Sequence, residues 1–214
     1  MDPSVAWFQQ KRAEAVIQAL EHNRMSGSFL PQADEAPQAV LDMIPPGSSV
    51  ALGGSMTVVQ TGVLQALRQA QGLELIDRFE KDIPPEELTA RLRRGLTADV
   101  FVSGVNAVTE QGELVFVDAS CTRVAPILYG PGKVILLAGA NKIVPNLAYA
   151  QERIRHFVAP ANAKRLGRKT PCAETGQCAD CSSPDRICNA TVVIHKQAQK
   201  ERLHLIILGG AWGL

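Results

Sequence analysis

The chain has 214 residues, a length that suits one α/β domain, and its 46% apolar content can fill a substantial core. A formal net charge of +1, from 22 basic against 21 acidic residues, gives no electrostatic argument for nucleic acid or a membrane as partner, and none is expected. No stretch reads as a signal peptide or is long enough to span a bilayer, so a cytoplasmic protein without membrane insertion is expected.

In chain order, a helix is expected over about 3–23, opened by Pro3, with Phe8, Ala15, Val16, Ala19 and Leu20 on one side. Residues 23–30 read as a loop hinged at Gly27, and a second helix over about 35–44 is stopped by Pro45-Pro46-Gly47. Val50-Ala51-Leu52-Gly53-Gly54-Ser55-Met56-Thr57 then reads as a short strand, a glycine-rich turn and the start of a helix that runs to Ala70. Glycines let a backbone approach a ligand closely, and Ser55 and Thr57 suit a helix N-terminus, whose free amides attract anions. Gly53, Gly54, Ser55 and Thr57 are therefore candidate anion-binding residues, the plain alternative being an ordinary strand-to-helix turn. The stretch is neither G-x-G-x-x-G nor a P-loop, so no nucleotide is implied.

A strand over 73–77 and a helix opened by Pro84-Pro85 and closed by Gly95 follow. Val100-Phe101-Val102 reads as a buried strand, and residues 105–109 and 114–117 as a hairpin turning at Gln111-Gly112. A short helix within 118–128, an apolar strand over 134–138 and a helix over 146–157 come next. A cysteine-rich loop covers about 168–190, and strands over 191–194 and 203–208, expected to pair antiparallel, close the fold. Alternating strands and helices indicate a single α/β domain over 1–214, with a mostly parallel Rossmann-like sheet and helices on both faces. The strands at 50–52, 100–102 and 134–138 are each followed by Gly, Ser or Asn, and should lie side by side with their carboxyl ends facing one cleft. Asn106, Asn141 and Lys142 come from those ends; a lysine there can pair with phosphate or carboxylate, or simply cap the next helix.

Four of the five cysteines, Cys172, Cys178, Cys181 and Cys188, are spaced C-x5-C-x2-C-x6-C, which points to ligands or reactive thiols rather than secretory staples. Their loop has too few apolar side chains to order itself by packing, and clustered thiolates repel one another unless a cation sits among them. The inner Cys-x2-Cys occurs in zinc and in iron–sulfur sites, while the outer gaps fit neither pattern, so metal and free thiols both stay open. Cys121 reads as a small buried residue, the four histidines lack ligand spacing, and Trp7, Phe8 and Trp212 read as core or interface.

Three segments together carry a resemblance: Ala51 to Thr57, Ala98 to Gly112, and Lys133 to Val144 with its Gly139-Ala140-Asn141-Lys142-Ile143-Val144. In these the chain resembles LUD-domain proteins, named for lactate utilisation, over most of residues 10–205. That family is similar in fold to ribose-5-phosphate isomerase, glucosamine-6-phosphate deaminase and the CoA transferases. The resemblance implies a role in lactate or organic-acid utilisation, an anionic small molecule (carboxylate, phosphate or CoA ester) as ligand, and redox proteins as partners. It tilts the cysteine group toward a [4Fe–4S] cluster, with zinc as the alternative. Glu110-x-Gly112 is similar to the Glu-x-Gly of CoA transferases, where the glutamate is the nucleophile and the glycine leaves room for a thioester. On that likeness Glu110 is a candidate catalytic residue of an acyl-CoA transferase-like enzyme; a noncatalytic metabolite-binding protein is the third reading. Two departures stand out: where many members read Ala-Glu-Thr-Gly, Glu110 and Gly112 match and the threonine does not, and the iron–sulfur motifs of the longer relatives are absent.

Overall fold

In the computed structural model, which describes residues 2–214, helix α1 (Pro3–His22) is capped by Asp2, whose carboxylate accepts the Ser4 amide at 2.8 Å. It buries Ala13, Val16 and Leu20, while Trp7 and Phe8 are exposed, so of the core and interface readings the core one does not hold for them. Where a loop was expected, β1 (Ser26–Leu30) is a strand. Its Ser-Gly-Ser start has no strand periodicity, and pairing with the last strand of the chain is what extends it.

Helix α2 (Ala36–Asp42) leads to β2 (Ser49–Leu52). The expected long helix to Ala70 is instead two short ones, α3 (Met56–Gln60) and α4 (Val63–Gln69), broken at Gly62 with φ +78°. Next come β3 (Glu74–Ile76), the surface helix α5 (Pro85–Arg94) and β4 (Val100–Gly104). The hairpin β5 (Ala107–Thr109) and β6 (Leu114–Asp118), helix α6 (Val124–Leu128), β7 (Lys133–Gly139) and β8 (Ile143–Val144) follow. Helix α7 (Leu147–Arg153) runs through a π turn, Ile154–Val158, into α8 (Ala159–Arg165). The helix thus passes its expected end, because Pro160 falls in the first turn after the π segment, where the i→i−4 ladder is already interrupted. A single turn, α9 (Pro171–Thr175), precedes β9 (Ala190–Ile194) and β10 (Leu203–Leu208).

Six strands form a parallel sheet in the order β1-β10-β7-β4-β2-β3, so β2, β4 and β7 are neighbours as expected. The remaining four form a second sheet, β8-β5-β6-β9. The expected antiparallel pairing of the last two strands is corrected: β10 sits inside the main sheet, while β9 pairs with β6 at an edge. Burial explains the split. Every β10 residue except His204 is buried, which demands a central place, whereas β9 is largely half-exposed.

Alternation along the strands feeds both faces of the main sheet. Phe101, Val134, Leu136 and Leu205 point to the face covered by α1 and the second sheet, where Ala13, Val16, Leu20 and Phe116 join them. Val100, Val102, Ile135 and Leu137 point to the other face, against Val40, Val58, Val63 and Leu67 of α2, α3 and α4. Fully buried parallel strands have their loops at the two ends of the sheet, and the carboxyl ends of β2, β4 and β7 open together on one cleft.

Candidate functional site

The cleft has a volume of about 480 Å³, within the range of small-molecule sites. Gly54 and Ser55 after β2, Val105 and Asn106 after β4, and Lys142 after β7 line it. The glycine turn is built by packing. A Cβ on Gly53 would lie 2.3 Å from the Ser103 hydroxyl, and one on Gly104 would lie 2.4 Å from that of Ser55, whereas one on Gly54 would meet nothing within 4 Å. Gly53 is thus an interior residue and Gly54 the exposed one that faces the opening. Ser55 caps α3 by accepting the Val58 amide at 3.3 Å. Because α3 is only five residues long and already capped, its dipole is a weak source of positive charge, and most of the positive charge around the cleft comes from side chains.

Lys142 lies at the floor of the cleft. It is 4% exposed and donates from Nζ to the Thr57 hydroxyl at 2.9 Å and to the Val105 carbonyl at 3.1 Å. Thr57 is itself fully buried and donates to the Trp212 carbonyl at 3.2 Å, so it supports the lysine and does not face the cleft. Burial, then the positive charges of Arg153 and Arg123, push the Lys142 ammonium down to about 7.

Arg123 reaches back from the start of α6 and donates to the carbonyls of Gly104 (3.0 Å) and Val117 (2.7 Å) and to the Asn106 Oδ1 (2.6 Å). The Asn106 carboxamide oxygen also accepts the Val117 amide, which leaves its Nδ2 donors for the cleft. Asp118, the one carboxylate lining the cleft among the described residues, accepts the amides of Ser120, Arg123 and Val124. Arg78 lines the cleft half-buried, with Asp118 as its only nearby counter-charge, and burial lowers its guanidinium. Behind Asn106, Arg153 donates to its backbone carbonyl at 3.3 Å and holds a buried Nη2 with no partner. Lys142, Arg78 and Arg123 thus line the cleft with Arg153 behind it, and the single acid there, Asp118, pairs with Arg123 at 3.8 Å. The sequence offered no motif for the three arginines; the one available signal was that Arg78 follows β3, another strand whose carboxyl end points the same way.

Three further expected members are elsewhere. Asn141 turns to the C-terminal segment and accepts the Trp212 amide at 3.2 Å. Glu110 sits on the β5–β6 turn, exposed, and accepts from Arg12 Nε and Nη2 at 3.1 and 3.0 Å, outside the cleft. Gly112 gives no room to a thioester: at φ +77°, a Cβ there would lie 2.8 Å from the backbone of Ala19 and Leu20. The glycine exists so that α1 can press on the turn.

The cysteine loop borders the cleft through Arg168 and Ile187. A polar network ties its backbone down. Arg186 donates to the carbonyls of Cys181 (2.6 Å) and Cys188 (3.2 Å) and pairs with Asp180 at 2.9 Å, while Ser183 and Asp185 tie the loop to Lys169. Cys178 and Cys181 lie close enough to Cys188 that their charges add to burial, the larger cause, in raising its thiol against the pull of Arg186. Cys172 is hydrogen-bonded to Thr170 at 3.3 Å. All five cysteines are free thiols, and among the described residues no three His, Cys, Asp or Glu side chains gather as a metal centre requires. As placed, the four sulfurs do not fit a preformed cluster site. No described helix is long and apolar enough to cross a membrane.

A family model described as the LUD domain matches residues 13–208, and the chain belongs to that family. Among solved structures it is similar to a DUF162 family protein from Deinococcus radiodurans, with 13% identity, a TM-score of 0.54, and 94% of this chain and 98% of that one covered. At that identity the likeness speaks for the fold alone. Ribose 5 phosphate isomerase A from Neisseria gonorrhoeae is similar over 54% of each chain at 13% identity, with a TM-score of 0.36 that carries no argument. No curated protein matches.

Proposed function

We propose that this LUD-domain protein serves the utilisation of lactate or a related organic acid by binding a small carboxylate in the cleft at the carboxyl ends of β2, β4 and β7. The observation that carries the reading is the excess of positive charge: Lys142, Arg78 and Arg123 line one cleft with Arg153 behind it, and the one acid lining it among the described residues, Asp118, already accepts three amides and pairs with Arg123 at 3.8 Å. Buried cations without counter-ions are costly, and an incoming carboxylate offsets that cost while accepting charge-assisted hydrogen bonds. Arg78 and the Asn106 Nδ2 have donors to offer it, and Gly54 and Ser55 form the opposite wall. Phosphate and CoA esters are the competing anions. Nothing in the surroundings of Glu110 favours a transferase, since its carboxylate is paired with Arg12 away from the cleft. Calorimetric titration of lactate, pyruvate, inorganic phosphate and acetyl-CoA tests the reading. The short carboxylates should bind saturably and Arg78→Ala should weaken them; heats from none of the four would end it.

A [4Fe–4S] cluster, or zinc in its stead, on Cys172, Cys178, Cys181 and Cys188 is a separate proposal, with a redox protein as its partner. Its support is the nearness of three thiols to one another and to Arg186; Cys172 would have to leave Thr170 to join them. The carboxylate reading does not depend on it. Iron, zinc and acid-labile sulfide in anaerobically purified protein test it: a stoichiometric metal supports it, and four freely titrating thiols without metal end it.

A further inference from the structure

We propose that Lys142 is a covalent anchor for 2-oxo acids, its Nζ condensing with the ketone carbon of a 2-oxo carboxylate bound in the cleft to form a reversible imine. This rests on the carboxylate-binding reading and names the substrate class within it.

Three features of the lysine's surroundings suit an amine nucleophile better than a fixed ammonium. First, no carboxylate touches Nζ; the charged groups that act on it are Arg123 and Arg153, and Asp118 accepts backbone amides and pairs with Arg123. Second, its partners are two acceptors, the Thr57 Oγ1 at 2.9 Å and the Val105 carbonyl at 3.1 Å. Thr57 Oγ1 acts as acceptor here because its own proton goes to the Trp212 carbonyl. A neutral amine has two N–H donors and one lone pair, so these acceptors use both donors and leave the lone pair free; an ammonium would leave a third donor without a described partner. Third, Lys142 is among the residues that line the cleft, so a carboxylate bound there lies beside its side chain. The backbone of Gly213 packs against Thr57 and Lys142, a Cβ there lying 3.1 Å from Nζ, and holds the lysine in place. A desolvated lysine titrating near neutrality has a large neutral fraction at physiological pH, the condition for attack on a carbonyl.

The step balances without an oxidant. The Nζ lone pair forms the new C–N bond while the carbonyl π pair moves to oxygen; one proton passes from nitrogen to that oxygen, giving a carbinolamine. The hydroxyl then leaves as water with a second proton, and the C=N bond forms. Lactate, which has no ketone, would occupy the same cleft without condensing.

Incubating the full-length chain with pyruvate and sodium cyanoborohydride, followed by intact mass and peptide mapping, tests the proposal. The expected product is one adduct per chain, of the mass of pyruvate less one water plus two hydrogens, mapped to Lys142. Excess lactate should suppress it, and Lys142→Arg should label only at the level of the surface lysines. Peptide mapping of the unaltered protein decides the site even if Lys142→Arg fails to fold. Saturable pyruvate binding by calorimetry with no adduct at Lys142 would overturn the imine while leaving the carboxylate reading in place. Absence of both binding and adduct would overturn the two together, and labelling spread evenly over surface lysines would also overturn the imine.

Discussion

Two glycine-bearing turns carried the candidate chemistry, Gly53-Gly54-Ser55 after β2 and Glu110-Gln111-Gly112 between β5 and β6, and they differ in whether their charges are answered. At the second turn Arg12 closes on Glu110 and Gly112 presses against the backbone of α1, so each residue has a structural task. At the first, Gly54 faces open space, and the neighbouring Lys142 and Arg78 touch no carboxylate. A charge paired on the surface contributes a modest contact. A charge held in a cleft without its partner leaves affinity for a ligand to satisfy.

The largest effect expected from this contrast is on stability. Gly112→Ala forces a side chain into a left-handed backbone and against the backbone of α1, at a cost of about 3 kcal/mol or more. Gly54→Ala meets nothing and should stay within about 0.5 kcal/mol of the parent. Urea unfolding compares them, and equal losses would break the contrast. A pH effect comes second. Lys142 titrates near 7 when folded against an ordinary value of 10.5, so between those limits the unfolded chain holds a proton that the folded one lacks. Unfolding free energy from this group should therefore rise with pH from about 7 toward 10.5, by up to about 1.4 kcal/mol per pH unit, and the rise should vanish in Lys142→Met. Third, Arg78→Ala should weaken carboxylate binding about tenfold, or about 1.4 kcal/mol, by calorimetry. The smallest effect is that of Glu110→Gln, which removes an exposed ion pair worth at most about 1 kcal/mol and should leave ligand affinity unchanged.

The same contrast explains what could be read from the residues alone. The strands β2, β4 and β7 announced themselves as continuous apolar runs, and their neighbouring ends brought Gly54, Ser55, Asn106 and Lys142 to one cleft. β1 did not, because Ser26-Gly27-Ser28 is extended by its pairing with β10 and not by its own propensity. The α3–α4 break was hidden because apolar spacing continues across Gly62. Glu110 was legible as a carboxylate but not as an answered one, since Arg12 lies 98 residues away in sequence. Arg78 and Arg123 come from segments without a motif, and only the fold gathers them around Asp118.

The central claim is that the cleft takes a small organic anion because its Lys142 and Arg78 touch no carboxylate. Calorimetric titration of the intact protein with pyruvate, beside its uncharged amide and at low and high salt, tests that most directly. Saturable one-site binding of pyruvate that weakens with salt and is absent for the amide is the predicted result. Equal affinity for pyruvate and the amide, or pyruvate binding untouched by Arg78→Ala, would contradict it.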